Sequence, residues 1–140
     1  WESPGLTEDD NTLDCLSQAG IEYVADWVLD DQPVWLQAKP TPVLSVPYTV
    51  EINDIPMMLL QQHRSEELLL RGIDQFERLW QESETIPRVM SISVHPYITG
   101  VPHRIGYFEK LLDHIQSKAG VVIQTGEQIS NWYREQVPFK

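Results

Sequence analysis

Apolar positions along this chain fall into two periods. Leu69, Ile73, Phe76 and Trp80 recur at helical spacing behind Ser65, Glu66 and Glu67, which suit a helix start. Phe108, Leu111, Leu112 and Ile115 define a second helix over 104–118, with Gly120 as its stop. Thr7 ahead of Glu8, Asp9 and Asp10 reads as a helix N-terminus, with Leu13 and Leu16 as its apolar side and Gly20 as its end. Thr125 and Gln128 form a capping box for a closing helix carrying Ile129, Trp132 and Tyr133. Between these lie short extended runs: "IEYVADW" (21–27), "VLSVPYTV" broken by Pro47, "RVMSISVH" ending on His95, and "VVIQ", read as a last buried strand. The segment "VLDDQPVWLQAKPTP" reads as a loop rich in proline and acid.

Strands alternating with helices predict parallel strands and an α/β fold. An open doubly wound sheet and a (β/α) barrel fit the pattern equally. In either, ligands bind at the carboxyl ends of strands. His95 stands at such an end, and so do Asp26 and Trp27. "SVPYTVEIND" also leaves its strand into polar residues, Asn53 and Asp54 among them. Ser91, Ser93 and His95 share one strand face, while Met90, Ile92 and Val94 share the other. The apolar face suits a helix layer, and the small polar face suits a pocket. An imidazole there can exchange a proton near neutral pH, and a carboxylate beside it favours the charged ring. Asp26 is the expected partner. The plain alternative is a hydrogen-bonded structural histidine, with Asp26 a turn acid and Trp27 part of the core.

Composition narrows the function. At 140 residues one domain, 1–140, is expected. A net charge of −11 argues against nucleic acid and anionic membranes as partners. No apolar run approaches the roughly 18 residues of a membrane span, and no secretory signal opens the chain. Cys15 is the single cysteine and is expected to pack as a small apolar residue, in keeping with a cytoplasmic protein. His63, His103 and His114 are weaker candidates, and without an H-x-x-x-H or HExxH pair no metal site is expected. The chain opens on Trp1 without a methionine, so it is read as a processed start or a piece of something longer.

Four stretches, "WESPGLTED" (1–9), "YVADWVLDDQPVWL" (23–36), "LSVPYTVEINDIP" (44–56) and "SVHPYITGVPHR" (93–104), resemble the polysaccharide deacetylase (NodB-homology) family, in its allantoinase-type (PuuE-like) branch. With the helices between them, the resemblance covers nearly all of the chain and corresponds to the C-terminal half of the family domain. It implies half of a distorted (β/α)7 barrel, with parallel strands inside and helices outside. It also implies hydrolysis of carbon–nitrogen bonds other than peptide bonds, in an N-acetylated sugar or a ureide. Carried over, His95 is the general acid on the leaving nitrogen, Asp26 tunes it, and Trp27 walls the substrate groove. Trp35 and Tyr97 are further wall candidates, and Asn53 and Asp54 are candidate polar contacts to substrate. The family's catalytic base, its H-x-x-x-H metal ligands and the arginine that orients the base find no match here. No cofactor is therefore expected in this chain; zinc, if used, belongs to a full-length parent. The isolated chain is expected to be inactive. A non-catalytic binding or assembly module built from a half barrel is the alternative. Uncovered strand edges predict a homo-oligomer in either case.

Overall fold

The computed structural model describes residues 1–140, which divide into two compact units: Trp1–Tyr48 with Gln124–Lys140, and Thr49–Ile123. No helix is long and apolar enough to cross a membrane.

The first unit holds helix α1 (Thr12–Gln18), strands β1 (Tyr23–Val24), β2 (Val34–Leu36) and β3 (Val43–Ser45), and helix α4 (Gly126–Gln136). The sheet runs in the order β1-β3-β2. Strand β1 pairs parallel with β3, Tyr23 opposite Leu44, while β2 pairs antiparallel with β3, Trp35 opposite Leu44. The sheet is therefore mixed, not all-parallel as expected. Connection length explains it. Six residues, Gln37 to Pro42, join β2 to β3, a length that suits a hairpin, whereas a parallel pair needs a crossover of about a dozen or more. Strand β2 lies inside the segment read as a loop; its hydrophobic run is only three residues and is bracketed by prolines, which masked it. Leu16, Val24, Leu36, Ala38 and Val43 form the core of this unit, with Leu13, Ile21 and Trp27 against it.

Helix α1 starts at Thr12, not beside Thr7. The Thr7 hydroxyl donates to Pro4 O, and Asp9 Oδ1 accepts from Asn11 N, which turns the chain into the helix. Cys15 is exposed, contrary to expectation. It precedes buried Leu16 by one position, about 100° around the helix, so the face that buries Leu16 turns Cys15 outward. Gly20 ends this stretch at φ +81°, a conformation that disfavours side chains. The capping box of α4 is present in full: Thr125 Oγ1 accepts from Gln128 N, and Gln128 Oε1 accepts from Thr125 N. Of the face assigned to α4, Trp132 is exposed and Ile129 and Tyr133 are half-buried, while the buried residue of the helix is Ser130.

The second unit packs helix α2 (Glu67–Glu82) against α3 (Ile105–Gln116). Leu68, Gly72, Phe76 and Leu79 are the buried stripe of α2, and Leu111 and Ile115 that of α3. Leu69, Ile73 and Trp80 flank the stripe, with Met90, Ile92 and Val121 packed alongside. A single π-helical turn, Ile55–Leu60, buries Met57 and Met58 with Ile52, Leu68 and Ile98. Ser65 does not cap α2; its hydroxyl accepts from Arg104 Nε instead.

Two expected strands of this unit are weaker than their sequences suggest. The run 88–95 makes one parallel bridge, Ser93 to Asn53, in which Ser93 N donates to Ile52 O and Asp54 N donates to Ser93 O. The run "VVIQ" joins no ladder, and Val122 and Ile123 are 74% and 68% exposed where burial was expected. An apolar run predicts burial only where a neighbouring strand is present to receive it.

Gly72 is where α2 and α3 come closest to clashing. A β-carbon there would stand 2.4 Å from Leu111 Cδ2 and 2.8 Å from Cδ1, and Leu111 is fully buried, so it has no room to swing away. Gly72→Ala is expected to destabilise the chain by about 1–3 kcal/mol. Gly106→Ala in α3, with nothing within 4 Å, is expected to be neutral or stabilising by up to about 1 kcal/mol. Thermal melts of the two variants check the contrast.

Candidate functional site

The site of the second unit is built on the Ser93–Asn53 bridge. That bridge sets Asp54 beside the segment that delivers His95 two residues later. Asn53 Oδ1 accepts from Ile55 N, which starts the π-helical turn and fixes the backbone just beyond Asp54. Asp54 is fully buried. Its Oδ1 meets His95 Nδ1 at 2.6 Å, and its Oδ2 accepts from His95 N and from Thr99 Oγ1, each at 2.7 Å. A buried carboxylate is costly unless its oxygens are hydrogen-bonded. Here three donors meet that need, and two of them come from His95.

This geometry decides what the imidazole can do. A carboxylate that takes a backbone N–H and a hydroxyl proton acts as acceptor, so Nδ1 is the donating nitrogen. Nε2 makes no hydrogen bond within the chain and lies on a side chain that is one-third exposed. The ring is fixed at one end and open at the other, the arrangement a proton donor or acceptor needs. Tyr97, 66% exposed, stands edge-on to it with centroids 5.7 Å apart.

Residues 95–104 fold as a tight turn. Ile98 N and Thr99 N both donate to His95 O at 2.9 Å. At Gly100 a β-carbon would sit 2.5 Å from Pro96 O, so only glycine fits. Arg104 Nη1 donates to Ile98 O and its Nε to Ser65 Oγ, each at 3.3 Å.

The structure thus brings together Asn53, Asp54, His95 and Tyr97 among the residues singled out in the sequence. The carboxylate on His95 is that of Asp54, not Asp26. Asp54, expected to touch substrate, is sealed beneath the ring. Asp26 belongs to the first unit and is buried there, accepting from Ser3 N at 2.6 Å and Ser3 Oγ at 2.9 Å. Trp27 Nε1 donates to Glu8 Oε1 at 2.7 Å while its ring packs on that unit's core. Trp35 Nε1 donates to Val137 O, and its ring meets Phe139 edge-on at 5.7 Å. Thr99 was not foreseen; its position four residues after His95, in a stretch with proline and glycine, was the available signal. No three His, Cys, Asp or Glu side chains come together as a group that could hold a metal ion.

A separate charged cluster joins α2 to α3. Glu77 Oε1 accepts from His114 Nε2 at 2.7 Å and from Lys118 Nζ at 2.5 Å. These hydrogen bonds, that from Lys118 first, hold the Glu77 carboxyl below its ordinary value of 4.5. A lowered folded-state pKa adds stability above the unfolded value, and that stability is lost as pH falls through the folded one. Glu77→Gln is therefore expected to lower the melting temperature at pH 7, with the gap from the parent closing in melts well below pH 4.5.

For the dyad, Asp54→Asn offers the ring an N–H where it now finds an acceptor, or an oxygen at the cost of one of the other donors. The neutral His95 ring is expected to change from the Nδ1–H to the Nε2–H tautomer, as read from its ring ¹⁵N shifts. Unchanged shifts would show that Asp54 does not set the tautomer.

No family model matches the chain. It is 35% identical over 129 residues to a Schizosaccharomyces pombe protein assigned as a polysaccharide deacetylase, covering 84% of this chain and 40% of that protein. It is 28% identical over 120 residues to a peptidoglycan deacetylase of Helicobacter pylori, covering 86% of this chain and 35% of that one. Among solved structures, a Pseudomonas aeruginosa protein assigned as a polysaccharide deacetylase superposes with a TM-score of 0.85 at 29% identity, over 94% of this chain and 45% of that chain. A PuuE allantoinase superposes with a TM-score of 0.87 at 24% identity, over 95% and 45%, which shows a shared fold. The chain spans about 35–40% of the length of the curated relatives it matches.

Proposed function

We propose that this chain, whose neighbours in sequence and structure point to a polysaccharide deacetylase, is the acid-bearing portion of a hydrolase acting on non-peptide carbon–nitrogen bonds. In this reading the chain contributes half of a (β/α) barrel. His95 gives a proton from Nε2 to the nitrogen that leaves when the amide is cleaved, and Asp54 holds the ring in place for that transfer. Tyr97 flanks the leaving group. The substrate class is an N-acetylated sugar polymer, in line with the names of the relatives. The acidic, single-cysteine chain suits the cytoplasm.

The observation that carries the reading is the dyad itself. A fully buried carboxylate is held at 2.6 Å from an imidazole whose far nitrogen has no partner in the chain and whose side chain is one-third exposed. What sets His95 apart from His114, which also meets a carboxylate through one nitrogen, is that its carboxylate is fully buried while that of Glu77 is 30% exposed. Amide hydrolysis also needs an activated water, from a base or a metal. Asp54, the carboxylate beside His95, is fully buried and bonded to three donors, and in this reading the water-activating half of the reaction falls to residues of a longer parent.

The isolated chain is expected to give no turnover of N-acetylated oligosaccharide. In a longer parent protein, His95→Ala is expected to lower kcat by about 10²–10⁴-fold, the usual contribution of general acid catalysis, with KM little changed. Strong hydrolysis by the isolated chain, or full activity of the His95→Ala parent, would overturn the proposal.

A further inference from the structure

We infer that Thr99 is a positioning residue for His95, acting through the carboxylate of Asp54. The inference rests on the reading of His95 as the acid.

The geometry shows why two contacts are not enough. His95 reaches Asp54 twice, through its backbone N–H to Oδ2 and through Nδ1 to Oδ1. Both donors belong to one residue, so neither anchors the carboxylate independently of His95. Thr99 Oγ1 supplies a donor from a different point of the chain, at 2.7 Å from Oδ2. A third direction fixes the carboxylate plane, and the plane fixes the direction of the Nδ1 bond.

The surroundings are built to keep that hydroxyl in place. Thr99 is 2% exposed, so no bulk water stands by to replace it. Its own N–H is held by His95 O, which closes a ring running from His95 through the turn to Thr99, to Asp54 and back to His95. The next residue, Gly100, packs against Pro96 O too closely for any side chain. Arg104 holds Ile98 O from outside the turn. The β-branched Thr99 has a stiff χ1, so its hydroxyl points one way at little entropic cost. Removing the hydroxyl while keeping the shape leaves a lone pair of a buried carboxylate unanswered, the costly half of a broken hydrogen bond.

The test compares Thr99→Val, which keeps the shape without the hydroxyl, with Thr99→Ser, which keeps the hydroxyl. Amide hydrogen exchange is followed by NMR in this chain, together with the ring ¹⁵N and Nδ1 proton signals of His95. In Thr99→Val the His95 backbone amide is expected to exchange about tenfold faster, the factor that one charge-assisted hydrogen bond of roughly 1.4 kcal/mol carries. The Nδ1 proton signal broadens or is lost, while Leu111 at the α2–α3 contact keeps its protection. Thr99→Ser retains the parent pattern. Parent-like exchange at His95 in Thr99→Val would overturn the inference. So would equal loss of protection at His95 and Leu111, which marks general destabilisation, or a Thr99→Ser variant that behaves like Thr99→Val. The readout does not depend on hydrolysis, so its failure is distinct from failure of the proposed reaction.

Discussion

A carboxylate with no exposure to water organises the second unit of this protein. Asp54 is affordable only because three donors surround it, and meeting that requirement dictates much of the local fold. The parallel bridge to Ser93 brings the carboxylate into place. The turn after His95 must bend sharply enough to return Thr99 to it, which in turn demands glycine at position 100. The catalytic proposal inherits this order: the imidazole is aimed because the acid beneath it must be satisfied.

The first unit handles its own buried acid in a similar way and to a different end. Asp26 takes two bonds from Ser3, and Trp1 Nε1 donates to the same hydroxyl. Trp1 N donates to Tyr23 O and Ala25 N to Trp1 O, so residues 1–3 lie along β1 and are locked to its end. Asp26 is thus a fastener for the chain, whereas Asp54 is a support for the imidazole of His95. Burial and the presence of bonds do not separate these two roles. What separates them is whether the partner keeps a side-chain polar atom with no bond inside the chain, which His95 does and Ser3 does not.

Much of this was legible in the residues. The helices were, because each carries a stripe at helical spacing, and the α4 cap was, because Thr125 and Gln128 leave a local signature. His95 was legible as the polar end of an apolar run. The strands were less so: β1, β2 and β3 are only two or three residues long, too short for alternation to declare itself. The partner of His95 was not legible, since Asp26 and Asp54 both end extended runs and only a ladder register selects between them. Cys15 and Val122 show the same limit for burial, because hydrophobicity states a preference and the neighbouring element decides whether it is met.

Arg104 carries a mechanical implication. Its guanidinium grips the turn at Ile98 O and the approach to α2 at Ser65, while its own backbone leads directly into α3. Two helices and the turn after His95 therefore share one rivet. The packing of Leu111 over Gly72, remote in sequence from the dyad, therefore holds the helix whose first residue follows the arginine that anchors the turn after His95.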